Sequence, residues 1–208
     1  MSPERSNNLA DRKSSRFLEA VGLFDRANSE DPNLELVDGE VEPKALVYAR
    51  RMTARLADFC PDASEALRLA VRCQHIRRWT SLRTAYPAGR VGYRQWRTEL
   101  AVYHAATAGA LLERVGYGPA DVARVQALVR KERLSADPEA QTLEDVACLV
   151  FIEHYALEFA GRHDPAKVMS IVRKTWRKMS QRAHGAVHAL GLDPAVVNLL
   201  QHAKDVER

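Results

Sequence analysis

The stretch Thr142-Leu143-Glu144-Asp145-Val146-Ala147-Cys148-Leu149-Val150-Phe151-Ile152 decides the fold class. Thr142 and Asp145 stand at the spacing of a capping box, which satisfies free N–H groups where a helix begins. From Val146 to Ile152 every residue is apolar, so the helix has no face for water and other helices must surround it. The run is far too short to cross a bilayer. A buried helix wrapped by amphipathic ones is the expected centre of an all-α protein.

The flanking sequence supplies those helices. Phe17, Leu18, Val21 and Phe24 recur at helical spacing, as do Leu46, Ala49, Met52, Leu56 and Phe59. Pro43 suits the first turn of the second of these helices. Between them, residues 30–39 read as a loop around Asp31-Pro32-Asn33. Asp62 and Glu65 are spaced like a capping box for a helix running to about Trp79. A long helix, about Tyr93 to Val115, ends at Gly116. Pro119, Asp164-Pro165 and Asp193-Pro194 open three more, the second expected to reach about Leu190. No segment alternates as a strand does. The expectation is a single compact domain over residues 15–208, with seven or eight helices around the buried one, behind a disordered polar leader at residues 1–14.

Composition narrows the class. The 208 residues suit one domain with a sizeable core, and 46% hydrophobic against 28% charged residues describes a globular chain. Cys60, Cys73 and Cys148 are scattered in apolar helices without CxxC spacing, which argues against a disulfide framework or thiolate zinc site. No secretory signal is visible, so a cytoplasmic, membrane-free setting is the expectation.

Charge is distributed unevenly. From Ala66 to Thr98 there is no Asp, Glu or Lys, but there are eight arginines, among them Arg77, Arg78, Arg83 and Arg97. Arginine grips phosphate or carboxylate through two parallel hydrogen bonds. With Trp79 and Trp96 nearby, the cluster reads as a binding site for a small anion, with rings available to stack on a base. The blander reading is a set of surface arginines paired with the acidic helices of the same domain. A second acid-free stretch, Ala166 to Leu192, carries Lys167, Arg173, Lys174, Arg177, Lys178 and Arg182. It could hold nucleic acid or an acidic protein, but the net charge of +4 and the scarcity of rings rank nucleic acid low.

Gln74-His75-Ile76-Arg77-Arg78-Trp79, Leu143 to Phe151, and Lys174-Thr175-Trp176-Arg177-Lys178-Met179-Ser180 together resemble an uncharacterised family of bacterial and fungal proteins catalogued as a domain of unknown function. The resemblance covers nearly the whole chain after the leader and implies no activity. More remotely, the helix order is similar to the HD-domain phosphohydrolases, where a His, a His-Asp pair and a later Asp bind a divalent ion that acidifies a water. On that register Tyr48 takes the place of the first His, Gln74 and His75 that of the pair, and Ala147 that of the last Asp. Phenol and amide are poor ligands for such an ion, so the usual metal set is broken.

His75 is the first candidate, as a general base or, when protonated, an anion ligand. His104 shares a helix face with Trp96 and Leu100, and is either a core histidine or a second catalytic group. Asp145 is a candidate catalytic carboxylate that the capping box equally explains. Arg77, Arg78, Trp79, Arg83, Trp96, Arg97 and Lys131 are the candidate substrate-binding residues. A metal site rebuilt from His75, His104, Glu144 or Asp145 lacks supporting spacing and is not favoured, and no metal ligand is assigned. His184 and His188 have chelate spacing without a carboxylate. Two functions stand nearly level: a degenerate HD-like protein that binds or hydrolyses a small phosphorylated ligand, a nucleotide among the options, and a ligand-binding or regulatory protein without turnover.

Overall fold

The computed structural model describes residues 3–204, the side chains of residues 3–13 and 204 excepted. Of the leader expected over residues 1–14, residues 1–2 and the side chains of 3–13 lie outside the described residues. The described residues form ten α-helices, more than expected, and one two-stranded sheet. None of the helices is long and apolar enough to cross a membrane. The chain divides into two compact units, residues 1–53 with 62–132, and residues 54–61 with 133–208.

The first unit opens with α1 (Pro3–Ser29), then an antiparallel hairpin of β1 (Leu34–Val37) and β2 (Glu40–Pro43). The expected loop was too plain a reading here. Asp38 and Gly39 turn the chain with φ of 51° and 87°, the left-handed pair a two-residue hairpin demands. Pro43 closes the strand, and α2 (Lys44–Phe59) begins one residue later. The next helix, α3, spans Glu65–Cys73, and its cap is Ser64 rather than Asp62, the hydroxyl accepting from Leu67 N at 3.1 Å. It stops well short of Trp79. Helix α4 (Gly89–Arg114) starts a turn earlier than expected, and α5 (Pro119–Arg130) packs along it. Phe24, Met52, Leu67, Leu69, Ile76, Leu112, Val125 and Leu128 form this unit's fully buried core. Arg72, on the side of α3 facing α1, grips both oxygens of Asp25 at 2.7 and 2.6 Å.

The second unit is built on α6 (Pro138–Val150), the helix of the opening stretch. Leu143, Val146 and Leu149 are fully buried in it, as an all-round apolar run requires. Its cap is Asp137, which accepts from Glu139 N and Ala140 N, so Thr142 and Asp145 lie inside the helix and not at its start. One π-turn, Phe151–Tyr155, links α6 to α7 (Ala156–Arg162). Asp164 caps α8 (Pro165–Lys178), which breaks at Met179-Ser180 where a helix to Leu190 was expected. Ser180 caps a separate α9 (Gln181–Val187), and α10 (Pro194–Lys204) follows. Within this unit α6 packs on α8 and α9, and α8 on α10.

Candidate functional site

The first unit holds an open pocket of about 440 Å³, inside the range of small-molecule sites. It lies where the turn after α3, the middle of α4 and the end of α5 meet. Its polar lining includes Gln74, His75, Arg78, Arg97, His104 and Lys131, with Thr98 and the Arg130–Glu132 pair, while Leu100, Ala101, Val102 and Val129 supply an aliphatic wall.

A backbone reversal aims the first of these groups. Arg77 has φ 52° and ψ 34°, a left-handed conformation uncommon outside glycine, asparagine and aspartate. The side-chain oxygen of Asn28, almost fully buried, accepts the Arg77 N–H at 3.2 Å and holds the turn. Adjacent arginines consequently part. Arg77 pairs with Glu30 at 2.6 Å and does not line the pocket. Arg78 lies over the Trp96 ring, 4.8 Å from its centre, and does line it. A second left-handed residue, Lys131 (φ 56°), closes α5 where glycine is usual, putting an ammonium at the pocket edge.

Helix α4 contributes through its period. Trp96, Leu100 and His104 recur every four residues and all are buried, as their shared face predicts. Trp96 donates its indole N–H to Ser81 O at 3.1 Å, so its ring is a floor beneath Arg78 rather than an open stacking surface. Arg97, one residue on, is exposed and lines the pocket. Among the described residues neither Arg78 nor Arg97 has an ion-pair partner. Glu132, the one carboxylate in the lining, is bonded to Arg130 Nε at 2.6 Å.

The two histidines are held neutral. His75 stacks on Tyr48 with ring centres 4.8 Å apart, and its ring centre lies 5.8 Å from that of His104. Burial drives its pKa well below the ordinary imidazole value, and the positive charges of Arg78 and Lys131 push the same way. Burial is also the main cause that lowers His104 to about 4. The Arg78 guanidinium is lowered too, first by burial and then by Arg97. His104 Nδ1 sits 2.6 Å from Ile76 O, and a carbonyl only accepts, so Nδ1 carries the hydrogen. Nε2 therefore presents a lone pair, buried and without a partner among the described residues.

The structure thus gathers His75, His104, Arg78, Arg97 and Lys131 around one pocket, with Trp96 beneath Arg78. Other candidates are employed elsewhere. Arg83 donates to Tyr86 O, Pro87 O and Gly89 O, shaping the loop before α4. Trp79 is half-buried and outside the lining. Asp145 belongs to the second unit, where one oxygen accepts from Ser180 N at 2.8 Å and Gln141 Nε2 at 2.9 Å, and the other from Ser180 Oγ at 2.6 Å. Both oxygens are occupied in joining α6 to the start of α9, so the candidate catalytic carboxylate acts as a fastener. Glu144 pairs with Lys178, and His184 donates to Trp176 O while stacking on that ring.

Tyr48 and Gln74 are part of the arrangement, although sequence reasoning met them only as replacements for metal ligands. Tyr48 Oη donates to Gln74 Oε1 at 3.3 Å. The HD-like register that aligned them was the signal available. A divalent ion does not fit here: the groups at those positions are a phenol, an amide and an imidazole, and the nearest charges are cationic. No cluster of three or more His, Cys, Asp or Glu exists among the described residues.

A family model described as a domain of unknown function (DUF4202) matches residues 18–200. No curated protein and no solved structure matches the chain.

Proposed function

The chain belongs to the DUF4202 family, and from its pocket we propose that it binds a small phosphorylated molecule. The observation that carries this reading is the convergence of Arg78, Arg97 and Lys131 on one concavity in which no carboxylate pairs with either arginine. Guanidinium groups left without counter-charge beside low-dielectric walls favour a multiply charged anion, which both neutralises them and accepts their hydrogen bonds. Neutral His75 adds an N–H donor without adding repulsion.

The reading treats the chain as a degenerate relative of the HD-domain phosphohydrolases. Supporting this, Tyr48, Gln74 and His75, which that register puts in the metal-ligand places, do meet beside the pocket. The ligand chemistry is then retained and the metal chemistry replaced by arginine. A second reading, turnover with His75 as the base, draws on the same neutral imidazole, which can accept a proton at physiological pH. A cytoplasmic setting suits the three free thiols.

Isothermal titration with inorganic phosphate and pyrophosphate tests the proposal. Saturable binding is expected, weakened at least tenfold by Arg78→Ala or Arg97→Ala, with circular dichroism unchanged. Equal affinity in wild type and both variants would remove the site. Release of phosphate from p-nitrophenyl phosphate, lost in His75→Ala, would favour turnover over binding alone.

A further inference from the structure

The pocket asks for more than an anion. Arg78, Arg97 and Lys131 donate only, and they match phosphate oxygens. His104 Nε2 is different in kind: it accepts only, it is buried, and nothing among the described residues satisfies it. His104 lines the pocket with 3% of its surface exposed, its ring fixed by the bond from Nδ1 to Ile76 O. A buried acceptor left empty is costly, and such groups are paired in the great majority of structures. Its partner must therefore bring a hydrogen.

A fully ionised phosphate has no hydrogen to give. A ligand that satisfies Nε2 without an intervening water needs a donor in another part of the same molecule, close to the phosphate because His104 and the cations share one cavity. The rest of the lining points the same way. Leu100, Ala101, Val102 and Val129 suit a short aliphatic skeleton. No aromatic side chain other than the two imidazoles lines the pocket, and one face of His75 is already covered by Tyr48, so a base has no free ring to stack on.

Resting on the reading of a phosphate pocket, we infer that the ligand is a phosphate monoester of a hydroxylated carbon chain, a polyol or sugar phosphate, whose hydroxyl donates to His104 Nε2 while Arg78, Arg97 and Lys131 hold its phosphate. A site built around an acceptor rejects an analogue that lacks the donor far more strongly than one that differs by a methylene.

The test compares glycerol 3-phosphate, ribose 5-phosphate and glucose 6-phosphate with propyl phosphate, by titration calorimetry at pH 8. There phosphate monoesters, whose second pKa is about 6, are dianions and carry no P–OH of their own. At least one hydroxylated ester is expected to bind wild type ten times or more tighter than propyl phosphate. His104→Phe should abolish that preference, read as the ratio of the two affinities within the variant. If propyl phosphate binds wild type as tightly as all three hydroxylated esters, the inference is overturned while the phosphate pocket stands. If none of the four binds, and inorganic phosphate and pyrophosphate do not bind either, the phosphate pocket itself is lost and the inference with it. The wild-type comparison decides the matter even if the variant does not fold.

Discussion

Two neighbouring arginines show how far side-chain chemistry can be read from a string of letters. Arg77 and Arg78 are equivalent in the sequence, and only the left-handed turn at Arg77 separates a surface ion pair from a pocket cation. That turn depends on Asn28, distant in the chain, so no local pattern announces it. Arg97 and His104 were legible as pocket lining for a plainer reason. An acid-free run leaves arginines without local partners, and a histidine in register with Trp96 and Leu100 faces inward. Asp145 was misplaced because Thr142 and Asp145 mimic a cap, whereas the true cap, Asp137, sits one turn earlier beside a proline. The electrostatics of the pocket give a sharp expectation. Arg78 is the strongest charge depressing the His75 pKa, second only to burial. Arg78→Ala should therefore raise the pH at which His75 titrates, read from its imidazole Cε1 proton resonance, while the chain remains folded. An unmoved resonance would mean that Arg78 does not face His75 in solution.

At the scale of elements, α4 starts where a loop is pressed against it. A Cβ on Gly92 would lie 2.0 Å from the carbonyl oxygen of Pro87 and 2.7 Å from its carbon. That same oxygen accepts from Arg83 at 2.9 Å, so the loop cannot simply move aside. Gly92→Ala is expected to cost about 1–3 kcal/mol, the range typical of forced overpacking. Urea denaturation should show it as a lower midpoint with an unchanged slope, and a midpoint equal to wild type would mean that the loop is freer than its hydrogen bonds imply. Most helices were legible because apolar spacing and Pro-opened first turns are local signals. The hairpin was overlooked although Asp38-Gly39 is a strong two-residue turn signal, since its strands are only four residues each and show no long alternation. The break between α8 and α9 was hidden by apolar residues that keep helical spacing through Met179, with Ser180 serving as a new cap.

Across the molecule, buried neutral imidazoles tie stability to pH. In the unfolded chain a histidine takes up its proton near its ordinary pKa of about 6.5. Folded His104 does so only near 4. The unfolded state thus binds more protons between those values, and stability falls as pH drops through that window. The shift corresponds to about 3 kcal/mol, almost all present above pH 7, mostly lost by pH 4 and completely lost only below it. His75 pulls in the same direction. Melting temperatures recorded from pH 7.5 to 4 should decline, and His104→Phe should flatten part of the decline. A profile in which the variant tracks wild type would contradict the burial assigned to this ring. The division into two units was not visible in the sequence. The residues of α2 keep one unbroken apolar period past Thr53, and periodicity reports that a face is covered without saying by what.

The uncompensated arginines also have a consequence at the bench. On the proposed reading, a cavity lined by Arg78, Arg97 and Lys131 is expected to take up multivalent oxyanions from the buffer, sulfate as well as phosphate. Preparations made in such salts are then expected to melt higher than those made in chloride, and ligand screens run in them to start from an occupied pocket.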